Sequence, residues 1–461
     1  LQIGHLDGPA TATIGSRFET NDYVSCNGTI VVNALLNGDA DSKLDTFKAN
    51  GAASGTGKLT VNTVDAAGLG ITRNVNGVTV AEFGEGTVDL SLTDEIKVNG
   101  LYYRLMKTDD GSRYYLSNQI QSAGTEAMST SMLMQPEAGA RAALAYAADQ
   151  AFNISLHDHV GETLYIDQLT GEERLTSVWM AQTGDWTRWR DGTGQLYNKG
   201  QTLTTHIGGD LITWGPADKH RLSFGLLGGY SYADFDSTSD LTGWNAKGTF
   251  NGYSVGAYLA WQNVAEDGPF GSVQLRWNSF RNSVQGDGYE KEKYTSDGIS
   301  AALEAGWNQQ LLHMKLENGT SALWRVQPHV GVYWSNISAD EQTDVNGQRF
   351  VTDGDNNVTL RLGGRTSITF AETQVPGVVD PGLTFYVEGN WIRNTGNYTT
   401  TLINQNGEST ADLTADNLGE VRFGVEGHVN RNIQLWGDVH HRVGDQSYRS
   451  TGVMLGGKYV W

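Results

Sequence analysis

Cysteine is almost absent: Cys26 is the one such residue in 461, so the chain can close no internal disulfide and has no cysteine spacing for a zinc site. Proline is also scarce, at 7 residues, and positive charge is outweighed, with 32 Lys and Arg against 52 Asp and Glu. The resulting net charge of -20 and pI of about 4.8 exclude a surface that follows nucleic-acid phosphates, because such binding needs clustered cations to replace counterions. No stretch approaches the roughly 20 apolar residues of a membrane helix, which excludes helical spanning but leaves spanning by strands open. A starting Met and a basic-then-apolar leader are missing as well, and we expect a fragment whose signal peptide lies upstream or has been removed.

Glycine reaches 58 residues, accompanied by 13 Trp, 19 Tyr and 13 Phe, a balance that suits strands and tight turns. The expected class is all-β. From Leu1 to about Asn118 the sequence is polar and punctuated by Gly, Asn and Asp. Its short alternating runs lie near 28–36, 58–64, 78–83 and 87–92, as in the rungs of a solenoid or in a β-meander, and they show no fixed period. An aromatic hairpin is expected at its end, with Leu101–Leu105 and Tyr114–Leu116 joined through Asp109, Asp110 and Gly111. Beyond the Gly/Ser/Thr/Met-rich stretch Ser122–Ser131, Pro136 stands at a first helical position beside Glu137. The alanine-rich run to Phe152 then predicts a slim helix, about 30 Å long if it holds about 20 residues, close to the height of a membrane barrel.

From about Thr176 the pattern changes to long alternating segments. Val273, Leu275 and Trp277 share one face and Gln274, Arg276 and Asn278 the other; Val421, Phe423 and Val425 oppose Arg422, Glu426 and His428 in the same way. A soluble sandwich also alternates, so length decides. These segments run about 10 to 14 residues, whereas soluble strands average about 5 to 6 and tilted membrane strands need about 9 to 11. Trp186, Trp189, Trp214, Tyr230, Tyr232, Trp261, Trp334, Trp391, Tyr459 and Trp461 stand near segment ends, as interfacial girdles require. About twelve strands are expected, near 176–190, 201–214, 220–233, 250–263, 271–284, 298–311, 323–337, 357–371, 383–398, 417–430, 432–445 and 450–461. An even number closes an antiparallel barrel with both ends on one side. The links 215–219, 263–269 and 430–432 are short and 338–356 and 399–416 long; 313–322 looks long for an inner turn and 445–449 short for an outer loop.

Several strings then carry a resemblance. Ser177-Val178-Trp179-Met180, Asn251-Gly252-Tyr253-Ser254-Val255-Gly256, Gly286-Asp287-Gly288 with Glu292-Lys293-Tyr294, Gln327-Pro328-His329 and Glu388-Gly389-Asn390-Trp391-Ile392 span most of 177–461. They resemble the translocator domains of monomeric (type V) autotransporters, most closely the diffuse-adherence (AIDA) adhesin type. Pro136-Glu137-Ala138-Gly139 looks like that family's helix entry, and 28–118 like the autochaperone region of a pertactin-like passenger end. The resemblance implies three parts: 1–120, the end of a β-helical passenger; 121–173, a linker with a pore-threading α-helix; and 174–461, a 12-stranded outer-membrane translocator barrel. It implies helix positions Pro136, Glu137, Ala140, Leu144, Ala148 and Phe152 within the pore, and an assembly signal at Gly456, Tyr459 and Trp461, with Met454 standing where the pattern prefers a polar residue. Outer-membrane lipid, the barrel assembly machinery, periplasmic chaperones and a host or bacterial surface ligand of the passenger are the partners implied. A scarcity of cysteine also suits a chain that crosses an oxidising periplasm unfolded.

Enzymatic constellations are weak, and neither an enzyme nor a cofactor or metal site is expected. His157 and His159 are two apart, which misses same-face helical spacing. Asp353, Asp355 and Asn357 imitate the start of a calcium loop but lack its Gly and Glu, so a solvated outer loop is expected. His440 and His441 point to opposite faces of a strand. Some family members cut their passenger free at an Asn backed by lumen acids. Asn153 is the nearest candidate, with Glu304, Glu388 and Glu426 as inward acids, but Ile154 follows it and an intact chain is expected. The alternatives are an outer-membrane enzyme, for which no acid-base-nucleophile cluster is evident, and a porin, whose pore the helix would obstruct.

Overall fold

The protein's structure, a computed structural model, describes residues 1–4, 14–36, 42–63, 77–86, 88–98, 101–118, 134–160, 177–214, 220–241, 243–263, 267–287, 289–316, 320–343, 349–354, 356–372, 382–396, 398–404, 407–413, 415–429 and 432–460. The stretch 122–131, the link 215–219, Asp355 and Trp461 lie outside the described residues.

The N-terminal part holds β1 (Arg17–Thr20), β2 (Tyr23–Leu35), β3 (Lys43–Leu44), β4 (Thr46–Thr63), β5 (Val78–Gly86) and β6 (Asp89–Leu92). It ends in β7 (Ile96–Val98), β8 (Leu101–Lys107) and β9 (Arg113–Ser117). Strands β1, β2, β5 and β6 all pair with β4 in parallel, whereas β9 pairs antiparallel with β5 and with β8. A parallel stack therefore ends in an antiparallel hairpin, which covers its last edge. Ile30, Val32, Phe47, Leu59, Val80 and Phe83 are buried in one core beneath it. Rings run from strand to strand into the hairpin, Phe18 to Phe47 at 5.7 Å, Phe47 to Phe83 at 5.9 Å and Phe83 to Tyr114 at 6.1 Å. No fixed period is visible in the sequence because Thr29 pairs with Lys58 and Lys58 with Ser91, which are unequal steps along the chain.

Two helices follow, α1 (Pro136–Ala151) and α2 (Leu156–Val160). The first has 16 residues, or about 24 Å, shorter than the expected 20 or so. It stops because Phe152 leaves helical geometry, and the chain restarts as a second helix capped by Ser155 and Asp158, each accepting the other's backbone N–H at 3.3 Å.

Next come β10 (Ser177–Arg190), β11 (Leu196–Trp214), β12 (His220–Ser239), β13 (Asn245–Asn263), β14 (Gly268–Gly286), β15 (Glu292–Lys315) and β16 (Thr320–Ala339). Then follow β17 (Gln342–Thr343), β18 (Arg349–Thr352), β19 (Asn357–Glu372), β20 (Leu383–Asn394), β21 (Thr399–Asn404) and β22 (Gly407–Asp412). The chain finishes with β23 (Asn417–His428), β24 (Ile433–Gly444) and β25 (Arg449–Val460). Twelve of these close an antiparallel barrel in the order β10 to β16, β19, β20, β23, β24, β25, sealed where β25 returns to β10 from Ser177–Val460 to Arg188–Arg449. The two long connections are not open loops. They fold into a four-stranded sheet, β17-β18-β21-β22.

Burial is inverted relative to a water-soluble sandwich. Val273, Leu275 and Trp277 are 48%, 57% and 50% exposed on the outside, while Gln274, Arg276 and Asn278 are 3%, 3% and 0% exposed within. An apolar exterior around a polar interior is stable only where the surrounding solvent is itself apolar. Two expectations need correction. Trp189 belongs to no outer girdle: it lies inside, 1% exposed, because its odd position opposes the outward Trp186. The 313–322 stretch is no long turn either, since β15 runs to Lys315 and β16 starts at Thr320 past a bulge between Gln310 and Leu312.

Candidate functional site

The barrel lumen is filled by α1. Of its 16 residues all but Ala145 and Gln150 are buried, which a helix achieves only when walls enclose every side. Alanine keeps it slim enough to fit, and Ala140, Ala148 and Leu144 are 0%, 2% and 1% exposed. Gly139 leaves little room, because a Cβ there would press on Ser237 Oγ and lie 2.8 Å from a Leu196 methyl, so that the wall would have to shift. Glu137, 7% exposed, packs over Gly286 at one mouth. Phe152 closes the helix at the other end, its ring 5.6 Å from Phe280 and seated against Gly229, where a Cβ would come within 2.6 Å of it.

Two charged residues interrupt the alanines and tie the helix to the wall. Arg141 has no exposed side-chain surface; it ion-pairs with Glu292, donates to Gln342 Oε1 at 2.8 Å, and lies 4.3 Å over the Phe350 ring and 5.0 Å over Tyr294. Phe350 and Gln342 belong to the four-stranded sheet, so this one side chain joins helix, barrel and sheet. Asp149 accepts from Tyr398 Oη at 2.6 Å and Asn357 Nδ2 at 3.0 Å, and its carbonyl accepts from Tyr333 at 3.0 Å. Asn357 is thus fully buried and not on a solvated loop. Tyr146 adds an aromatic knot with Trp189, Tyr398 and Tyr448 at 5.7, 5.0 and 5.7 Å.

Past Phe152 the chain crosses the rest of the lumen. Ile154 O accepts from Gln274 at 3.0 Å, Leu156 N donates to Glu304 at 2.9 Å, and Arg422 bridges Asp158 at 2.8 Å and Asp438 at 2.7 Å. His157 stands edge-on to Phe270 at 5.1 Å. Asn153 is exposed towards a cavity of about 140 Å³ that Asp158, Asp185, Glu304 and Glu420 also line. Each of these acids has a partner in Arg422, His440, Arg361 or Arg442. Both ring nitrogens of His440 face carboxylates, Asp438 at 3.0 Å and Asp185 at 2.9 Å, which leaves neither to activate a hydroxyl. Glu388 and Glu426 are likewise buried within, against Asn390 and Gln434. Among the described residues no group of three His, Cys, Asp or Glu could hold a metal.

At the closing strand Tyr459 faces out, 44% exposed, paired with Val178 and Ile433. Gly456 faces in, where a Cβ would come within 2.6 Å of the Trp436 ring, and Met454 is buried beside Arg422 at 3.9 Å. Sequence reasoning missed Arg141, Asp149 and Tyr398 and placed Asn357 on a solvated loop. A usable signal was present, since a charge in an alanine helix that must be enclosed demands a partner.

The fold is that of a membrane barrel occupied by the polypeptide that precedes it. Residues 178–440 match the autotransporter β-domain family, and the chain belongs to it. Uncharacterized protein YdeU of Escherichia coli K12 is 32% identical over 458 residues, covering 95% of this chain and 97% of that protein. The E. coli autotransporter adhesin AIDA-I is 26% identical over 460 residues, covering 98% of this chain and 34% of its own length. Uncharacterized protein YuaQ of E. coli K12 is 31% identical with 95% and 32% covered, so the chain spans about a third of the length of these two longer relatives. The crystal structure of the AIDA-I transport unit superposes with a TM-score of 0.62 at 26% identity, covering 71% of this chain and all of that one. The barrel is accordingly an outer-membrane translocator domain.

Proposed function

We propose that the barrel exports the polypeptide lying ahead of α1 to the cell surface, and that α1 then stays in the lumen as anchor and plug. One observation carries this: residues 1–118 and the barrel are joined by a helix buried on nearly every face inside a closed twelve-stranded wall. The helix enters at the end bearing the four-stranded sheet, where Arg141 meets Phe350, and the chain returns into β10 at the opposite end. The sheet-bearing end is therefore the outer one, and the passenger lies outside. Pro136, Glu137, Ala140, Leu144, Ala148 and Phe152 line the threading helix in this reading, with parts at 1–120, 121–173 and 174–461.

The passenger is an adhesin, supported by the likeness to AIDA-I, and its ligand is a host or bacterial surface molecule. Its last stretch, 28–118, acts as an autochaperone: the hairpin at β8 and β9 presents a finished edge on which each later parallel strand can stack, a nearest-neighbour mode of folding that needs no ATP. The barrel assembly machinery and periplasmic chaperones act before insertion, reading Gly456, Tyr459 and Trp461. The chain remains uncleaved, a reading supported by the ion pairs that occupy the acids around Asn153.

Deleting 28–118 and following protease accessibility of the upstream passenger on intact cells tests the reading. Reduced surface folding is expected; undiminished display of a folded passenger refutes the autochaperone role. Denaturing electrophoresis of the native product should give one intact band, and two fragments separating near Asn153 would refute the uncleaved anchor.

A further inference from the structure

The outer wall of the barrel carries a row of cations that the translocation pathway does not use. Arg449 on β25 pairs directly with Arg188 on β10, and Arg188 with Lys199 on β11. All three are exposed on the outward face, two register positions from the last pair, Arg190–Tyr197, at the end that is the outer one on the orientation proposed above, on which this inference rests. Like charges placed directly opposite on neighbouring strands repel one another, so such a row is unfavourable unless an anion joins it. Neighbouring cations show what an answered charge looks like here: Arg190 ion-pairs with Asp240, and Lys247 with Asp234 at 2.9 Å. Among the described residues none of Arg449, Arg188 and Lys199 has an ion pair. Asp236 stands in register with Lys199 without bridging to it. In a chain of net charge -20 these three unanswered cations are not general background.

The row borders a surface depression of about 610 Å³ that Trp186, Tyr197, Lys247 and the carboxylates of Asp234 and Asp236 also line, with Asp234 already neutralised by Lys247. Towards the membrane centre the same strands present Trp186, Leu203 and Leu455, which are 57%, 45% and 65% exposed. A cationic row above an apolar wall, at the outer edge of an outer-membrane barrel, matches one chemistry: phosphate above, acyl chains below. Two strand spacings separate the outer cations, about 10 Å, enough to address more than one phosphate on a sugar headgroup. Arginine forks and a lysine ammonium are well suited to phosphate oxygens, and the low dielectric beside lipid strengthens the pairing.

We propose that Arg188, Lys199 and Arg449 form a binding site for the phosphorylated headgroup of an outer-leaflet glycolipid, whose acyl chains lie on Leu203, Leu455 and Trp186. The test uses the full chain refolded in detergent, with bisphosphorylated lipid A as probe and native mass spectrometry as readout. R188Q/K199Q/R449Q is expected to bind at least about tenfold more weakly, while R188K/R449K keeps affinity within about threefold. Phosphatidylglycerol and millimolar inorganic phosphate should not displace the probe. Each variant is first shown to keep the heat-dependent gel shift of a folded barrel. Should the triple variant fail that check, K199Q alone serves, with about threefold weaker binding expected. Equal binding by the folded variants, equal binding of dephosphorylated lipid A, or displacement by phosphate or phosphatidylglycerol would each overturn the assignment.

Discussion

Arg141→Met should unlatch the helix from the outer sheet. The substitution preserves most of the side-chain volume but removes the ion pair to Glu292, the hydrogen bond to Gln342 and two aromatic faces. A charge-assisted hydrogen bond is worth about 1.5–3 kcal/mol, and the lower end applies because the Glu292 side chain is 31% exposed and remains hydrated when left alone. Cation–π contact with Phe350 and Tyr294 adds about 1 kcal/mol after desolvation. The sum, about 2.5 kcal/mol, corresponds to roughly a 70-fold rise in the fraction of time the pore is unplugged. Planar-bilayer recording of the purified full chain reads that fraction as channel openings, with a chain lacking the helix as the fully open reference. An R141M/E292Q double mutant should fall short of additivity by about 1 kcal/mol or more, since the two side chains share one interaction. A change below about threefold in R141M would refute the latch, and additivity would refute the ion pair's part in it.

Gly456→Ala should place its methyl into the Trp436 ring and destabilise the barrel by about 1–3 kcal/mol, seen as a lower temperature for the gel-shift transition and relieved by adding Trp436→Ala. Phe47→Ala removes a fully buried ring between Phe18 and Phe83 and should cost the stacked N-terminal part about 3–5 kcal/mol, read as faster limited proteolysis before Asn118 with the barrel unaffected. Asp110 at the hairpin turn accepts from Thr108 Oγ at 2.6 Å and from Ser112 N and Oγ at 3.0 and 2.8 Å, bonds that hold its carboxyl down to about 2, the Thr108 hydroxyl foremost. Because the folded value is depressed, the turn's contribution is complete above the ordinary value of 3.8 and is lost as pH falls towards 2; NMR titration should show this, and Thr108→Val should move the midpoint up.

The barrel was legible in sequence because lipid imposes a strict code. Each outward position must be apolar and each inward one fills or solvates the lumen, so Val273–Asn278 declares both faces without any tertiary knowledge. Strand ends were less legible, because a bulge between Gln310 and Leu312 breaks the alternation while β15 runs on to Lys315 with Leu311, Leu312 and Met314 exposed. Trp189 misled as an aromatic near a strand end, although its parity relative to Trp186 already placed it inside. The outer sheet was invisible because β17, β18, β21 and β22 have 2 to 6 residues each and pair across two separate connections, which no local pattern encodes. The same holds for the helix contacts: Arg141 and Asp149 meet partners some 150 to 250 residues away in sequence, in Glu292, Asn357 and Tyr398.

The most direct measurement is the state of the refolded full chain with and without detergent, followed by size-exclusion chromatography and by gel mobility before and after boiling. An exposed wall of Leu275, Trp277, Phe423 and Leu455 predicts a monodisperse, heat-shifted barrel only in detergent or lipid, and precipitation when either is withdrawn. A monomer that stays folded and soluble in plain buffer would contradict it.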